Sequence, residues 1–471
     1  MARNSFLIFL LLSFVSVAIP QFAQTTTSPI STVVRHYLYV FPDDNIYVYD
    51  MDNGHSLVKH ISVLTGGVRG VVANAPTGML YISYGTDGPG CCGYLIKYDL
   101  VHDTVVWQKK LTSGVDSFAI SPDGTKIYMP TGELAKGAVW NVLGANTGDV
   151  IGTIKCPGGN GPHNTVVTPR GTLVYMGIRF YNFLEVADAA TYAIVKSIGP
   201  LKSGVRPFTI NGAETLVFTT ASGFLGFQVS SLVTGRVLYT VPVNGFSIPP
   251  GFIPTTPSHG LSMSPDEKEI YLIDAANSYV HVFDVIGLPS DAPRQVADIK
   301  VAPLSGSESG CAYDCLRDGW LLHSHDGRFV YVGDSGSVID ASSRTVVANL
   351  GPLSNTRKTI EIDFQNGVPV WAASSRSGLG YGPSAITTAT TTSAITSTSA
   401  VTLPQISYSL IGVAFLAVLV PVLMFFTAKR IRKRPLGTRG RSLRLSVLES
   451  NVRKFSITNF PRRMYGDRGK R

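Results

Sequence analysis

The sequence predicts an all-β fold: a seven-bladed β-propeller closed by its own C-terminal strand, followed by one C-terminal transmembrane helix. Three observations carry the propeller. A two-strand unit with a polar turn recurs along most of the chain, a second hairpin alternates with it seven times, and the series ends on a spare strand.

The first unit, aligned on the aromatic after its turn, reads "RGVVANAPTGMLY" (to Tyr81), "DSFAISPDGTKIY" (Tyr128), "HNTVVTPRGTLVY" (Tyr175), "RPFTINGAETLVF" (Phe218), "HGLSMSPDEKEIY" (Tyr271) and "GWLLHSHDGRFVY" (Tyr331). The aromatics are 47, 47, 43, 53 and 60 residues apart. The alternating hairpins run from "YDMDNGHSLVKHI" through "VLGANTGDVIGTIK" and "VADAATYAIVKSI" to "IDASSRTVVANL". Period-2 alternation between clusters of turn residues marks antiparallel strands. Four short strands in roughly 40–50 residues is the propeller pattern. The first repeat opens on "YLYVFPDD" without an inner strand, whereas "KTIEIDF" (Lys358 to Phe364) is left over at the end. Pairing the two removes two open sheet edges, which are otherwise aggregation-prone.

The chain resembles the YVTN-type seven-bladed propellers, the YncE-like family, from about Arg35 to Tyr381. The likeness rests on the SPDG-type turns, "GPHNTVVTP", "GVRPFTI", "PSHGLSMSPDE" and "VYVGD"; "YVGD" at Tyr331 is the nearest match to the tetrapeptide that names the group. The resemblance implies the fold. It leaves the activity open, since such relatives include ligand binders, lactonase-like enzymes and proteins with no assigned reaction.

Around the propeller (31–381) the sequence predicts four further segments. Residues 1–23 carry Arg3, an apolar run from Phe6, and small residues at Ala18 and Ala23, as a secretory signal does. Residues 382–404 are a Ser/Thr-rich stalk, too poor in apolar side chains to fold. Residues 405–428 contain 23 uncharged positions, Ile406 to Ala428, enough to cross a bilayer as a helix. "KRIRKR" follows at once, which places the tail (429–471) in the cytoplasm and the propeller outside a single-pass cell-membrane protein. That tail holds 15 Lys/Arg and two acids, so the chain's net charge of +9 conceals a net −5 over residues 4–428. A basic run beside a membrane helix suits anionic lipid, and nucleic acid is not expected as a partner.

Five cysteines in an exported chain imply disulfides. Cys311 and Cys315 share one loop and are the expected pair. Cys91 and Cys92 are adjacent, so one of them joins Cys156 or none.

In a propeller the inner strand of each blade starts near the axis. Twelve residues before the aligned aromatics stand Arg69, Asp116, His163, Arg206, His259 and Gly319. A ring of polar side chains at one mouth of the channel is therefore expected. Arg69, Asp116, His163, Arg206 and His259 are the candidate ligand-binding residues, with His163 and His259 as candidate metal ligands, for which copper or haem iron are the candidate cofactors. The bland alternative pairs Arg69 and Arg206 with Asp116 or Asp318 and leaves both histidines on loop carbonyls. His323 falls on an apolar inner-strand register and reads as a satisfied core histidine. His36, His55, His60 and His102 read as surface residues. The face bearing SPDG-type turns promises little.

Three functional classes fit. One is a surface module binding a small anion, a glycan or a surface protein at the mouth. Another is an exported enzyme, lactonase-like or a metal-dependent oxidoreductase, using the same His and Arg residues. The third is a structural part of an envelope. No nucleophile elbow, Walker loop, HExxH or dinucleotide fingerprint is present. Binding is the favoured reading, and the catalytic question stays open at this point.

Overall fold

The computed structural model describes residues 33–88, 92–252, 256–304 and 316–373. All of them belong to one compact unit spanning 1–390; a second unit, 391–471, contains none of them. The expected signal, stalk, transmembrane segment and tail lie outside the described residues, as do Cys91, Cys311 and Cys315. Among the described residues no helix is long and apolar enough to cross a membrane. Cys156 is free, so it does not pair with Cys92.

Seven antiparallel sheets form the seven blades. The inner strands of blades 2 to 7 are Val68–Asn74, Ala119–Ile120, Pro162–Val167, Val205–Ile210, Leu261–Met263 and Trp320–His323. They are buried along their whole length, whereas outer strands such as Val237–Pro242 alternate between exposed and half-buried. A strand covered on both faces is apolar without alternation, which is why "VVAN" and "TVV" lack the in–out pattern of the outer hairpins.

Closure follows the sequence expectation, shifted by one residue. Thr359–Gln365 becomes the inner strand of blade 1 and pairs with Val34–Val40 along its full length, from Val34↔Gln365 to Val40↔Thr359. Blade 1 then gains a fifth strand that sequence reasoning missed, Val368–Ala372, which folds back on the closing strand with Asp363 opposite Trp371.

The turns explain the recurrent residues. In blades 3, 6 and 7 the turn serine takes the amide five residues on: Ser121 from Lys126 at 2.9 Å, Ser264 from Glu269 at 3.0 Å, Ser324 from Phe329 at 2.9 Å. The following aspartate accepts an amide two residues on, as Asp123 does from Thr125 (3.0 Å) and Asp326 from Arg328 (2.9 Å). Gly124 and Gly327 sit at φ +69° and +75°, conformations where a Cβ is strained.

The aligned aromatics lock neighbouring blades together. Tyr81, Tyr128, Tyr271 and Tyr331 are at most 1% exposed. Burying a large side chain of this kind stabilises by about 1.5–3 kcal/mol. Three of these phenols donate across to the next blade, to the carbonyls of Ala145 (3.2 Å), Ala189 (3.5 Å) and Ala341 (3.5 Å). At the seam the fourth, Tyr331, meets His55 Nε2 of blade 1 at 2.9 Å instead. His55 is thus an interior residue, 8% exposed and set edge-on to Phe329, and not the surface histidine expected.

Candidate functional site at the channel mouth

The start of each inner strand does bring the expected ring together. Arg69, Asp116, His163, Arg206 and His259 all lie at one mouth and are all buried. The rings of His163 and His259 are 6.0 Å apart, centroid to centroid, although 96 residues separate them in sequence.

Each ring member is held by a partner, and most partners are residues that sequence reasoning missed. His163 Nδ1 lies 2.6 Å from Asp116 Oδ2, its neighbour in the ring. Glu133 stands at the centre: it is 3.2 Å from Arg206, 3.2 Å from Arg179 and 3.6 Å from His163. Arg69 pairs with Asp87 at 3.6 Å. The two arginines are therefore ion-paired, Arg69 with Asp87 and Arg206 with Glu133. His259 Nδ1 is 3.1 Å from the Gly319 carbonyl and 3.3 Å from Asp318. Arg357, which precedes the closing strand, supplies the seventh position and pairs with Asp318.

The missed residues occupy the loops between the second and third strands of blades 2, 3, 4, 5 and 7, which open on the same face. Asp87, Glu133, Arg179, Ser222 and Asp334 follow the aligned aromatics by three to six residues. That offset was available in the sequence and would have found them. Arg357 was likewise one residue upstream of the expected closing strand.

The electrostatics follow from burial. Guanidiniums at Arg69, Arg179, Arg206, Arg317 and Arg357 face carboxylates at Asp87, Asp116, Glu133, Asp318 and Asp334, five of each among the described residues. Burial pushes the Glu133 carboxyl up, but His163, Arg206 and Arg179 together outweigh it and hold the group below its ordinary range. Asp318 goes the other way: burial, set against Arg357, lifts its carboxyl to about 7. Charges this dry need partners to persist, and each one has them.

Two chemical possibilities remain in the geometry. Asp116, Glu133 and His163 present donor atoms within 4.8 Å of one another. A bare cation there would displace or oppose Arg179 and Arg206, which already neutralise Glu133. The other donor is His163 Nε2, which is buried and has no hydrogen-bond partner. With Nδ1 fixed by Asp116, this nitrogen is the lone-pair site that a copper ion or haem iron would draw on, with His259 beside it.

A cleft of about 530 Å³ opens beside the ring, between blades 4 and 5. Arg179, Tyr181, Asn182, Lys202, Arg206 and Ser222 line it, together with Phe180, Ser203 and Gly204. No carboxylate is among its described lining residues. Gly204 is required: a Cβ there would stand 1.7 Å from the Arg179 carbonyl oxygen. Arg206 Nε is anchored on Ser222 Oγ at 3.0 Å, and Lys202 Nζ lies 4.9 Å over the Phe224 ring.

No family model and no curated protein matches the chain. Solved structures do. A functionally unknown protein from Desulfotomaculum acetoxidans DSM 771 superposes with a TM-score of 0.53 at 13% identity, covering 69% of this chain and 98% of that one. The hydrazine synthase of Kuenenia stuttgartiensis matches at TM-score 0.45 and 14% identity, over 66% of this chain and 98% of that one. The β-propeller domain of Cps50 (Swd1) from Myceliophteria thermophila matches at TM-score 0.46 and 10% identity, over 61% and 87%. At 13% identity the first of these likenesses supports the fold seen in the seven sheets, and no activity.

Proposed function

We propose that this propeller is a ligand-binding module whose mouth face takes a small anion or the acidic residue of a glycan, in the cleft beside Arg206. The observation that carries this reading is the cleft's composition: Arg179, Lys202 and Arg206 with hydroxyl and amide donors, and no carboxylate among the described lining residues. Tyr181 and Phe180 offer ring faces on which a sugar can pack. The buried ring beneath holds five guanidiniums and five carboxylates among the described residues, so the pull on an anion comes from the rim, with Lys202 exposed to meet it.

The setting proposed for this module is the outer surface of a cell membrane, with residues 405–428 as anchor, 382–404 as stalk and 429–471 inside against anionic lipid. The support is the segment composition given above. The family reading, YncE-like, rests on the quoted turns in the same way. An exported lactonase-like or metal-dependent enzyme is the second reading, favoured by the Asp116–His163 dyad and the unpartnered Nε2. The shielding of that nitrogen from solvent makes binding the better reading.

Calorimetric titration of the full chain with glucuronate, and with glucose as its neutral counterpart, tests this. Glucuronate should bind, glucose should not, and Lys202→Ala should weaken the acid about tenfold or more, the worth of one charge-assisted contact. Equal binding of both sugars, or none, would rule the reading out.

A further inference from the structure

We propose that the face opposite the mouth carries a divalent-metal site, formed by His36, Glu361 and Asp363, which clasps the N-terminal strand to the C-terminal closing strand. This site is independent of the mouth and of any ligand bound there.

Glu361 and Asp363 are two residues apart on Thr359–Gln365 and so point to the same side of that strand. They are 0% and 2% exposed. Two carboxylates side by side in a dry setting repel, and a cation between them relieves the cost. His36 stands directly opposite Asp363 in the strand register. Its Nδ1 is 2.9 Å from Asp363 Oδ1 and 3.6 Å from Glu361 Oε1. One donor atom from each of the three residues lies within 4.8 Å of the other two, a spacing that a single ion can span.

A second observation is independent of this spacing. Glu361 Oε2 accepts the backbone amide of His325 at 2.7 Å, which fixes the carboxylate. Its other oxygen, Oε1, is buried without a hydrogen bond and makes a long ion pair with the His36 imidazole at 3.6 Å. A buried oxygen that makes only this long contact has a lone pair to offer a ligand bond.

A fourth group stands ready. His325 Nδ1 lies 2.9 Å from Asp363 Oδ2, and its ring stacks on Trp371 at 3.8 Å and 6°. It either completes the coordination or orients Asp363 from outside. The ion pairs of Glu361 and Asp363 are with imidazoles, unlike those of Glu133 at the mouth, which two guanidiniums already claim. Imidazole with carboxylates at four positions suits zinc, and manganese is the oxygen-preferring alternative. The His36–Asp363 contact joins residues 327 apart, so an ion here ties the two ends of the ring.

The test uses the full chain without a histidine tag, stripped with chelator and titrated with Zn²⁺ or Mn²⁺ alone. Calorimetry and the unfolding temperature are read in parallel. Wild type should bind one equivalent that raises the unfolding temperature. Asp363→Asn and His36→Gln should each weaken that binding more than the roughly 10- to 100-fold that an outer-shell partner costs. His163→Ala should keep it. No saturable binding by wild type overturns the proposal, as does binding unchanged in both variants, or binding lost in His163→Ala. Should Asp363→Asn not fold, His36→Gln decides, since that side chain is 26% exposed.

Discussion

Acid stability should single out His323. It sits on the inner strand of blade 7, 5% exposed, with Nδ1 2.8 Å from Ser262 Oγ, Nε2 without a partner, and Tyr271 edge-on at 4.7 Å. Burial holds its imidazole down to about 3, against an ordinary 6.5. The folded chain therefore refuses a proton that the unfolded chain accepts below pH 6.5. The stability involved is complete above pH 6.5 and lost as the pH falls toward 3. At about 1.4 kcal/mol per pH unit it amounts to at most about 5 kcal/mol over that window. Asp318 and Glu361, both lifted to about 7 by burial, act in the opposite sense, because the fold keeps their protons. Comparison with His323→Asn, which retains a polar partner for Ser262 and does not titrate, removes those shared contributions. Urea unfolding at pH 6.5 and 4.5 should show wild type losing about 2–3 kcal/mol relative to the variant. A gap between the two proteins that stays constant with pH would refute the burial argument.

Five further substitutions follow from the packing, and one topology test from the sequence. Ile362→Ala, at a fully buried position of the closing strand, should cost about 2–5 kcal/mol in urea unfolding, whereas Val370→Ala, 48% exposed on the fifth strand, should stay within about 0.5 kcal/mol. Tyr331→Phe strands the buried His55 Nε2 and should cost about 1–3 kcal/mol, more than the 0.5–1.5 kcal/mol or so for Tyr128→Phe, whose lost partner is a carbonyl. Glu133→Gln removes the carboxylate that Arg179 and Arg206 share and should destabilise by about 3–5 kcal/mol, read as a lower midpoint at unchanged urea slope. Protease added to intact cells should spare a C-terminal tag; its loss would place the tail outside, against "KRIRKR".

What could be read from the sequence is what repeats. "SPDG" carries its own turn chemistry within six residues, so Ser121, Asp123 and Gly124 announce a hairpin wherever they recur. The aligned aromatics then set the register that places Arg69, His163 and His259 at one mouth. Pairings across the ring obey no such local rule. Glu133 is 73 residues from Arg206, and Arg357 is 98 from His259. Their contacts depend on how blades sit against one another, which no short stretch encodes. His36 shows the limit most sharply, because nothing around "VRHYLYV" hints at Asp363. The scattered polar residue and the functional cluster look alike until the ring is closed.

That closure also sets a clock. Thr359 Oγ1 donates to the Tyr39 carbonyl, a contact spanning 320 residues. A ribosome adding about 5–20 residues per second takes roughly 16–64 s to cover that span. Blades 2 to 6 can each form as soon as their four strands emerge, but the first must wait for the last. Throughout that interval Val34–Val40 presents unpaired amides and carbonyls to every other nascent chain nearby. Its other edge is covered early by Asn45–Asp50, so one edge is open for most of synthesis. Slowing translation anywhere between Val40 and Thr359 should therefore raise misassembly more than slowing it after Gln365.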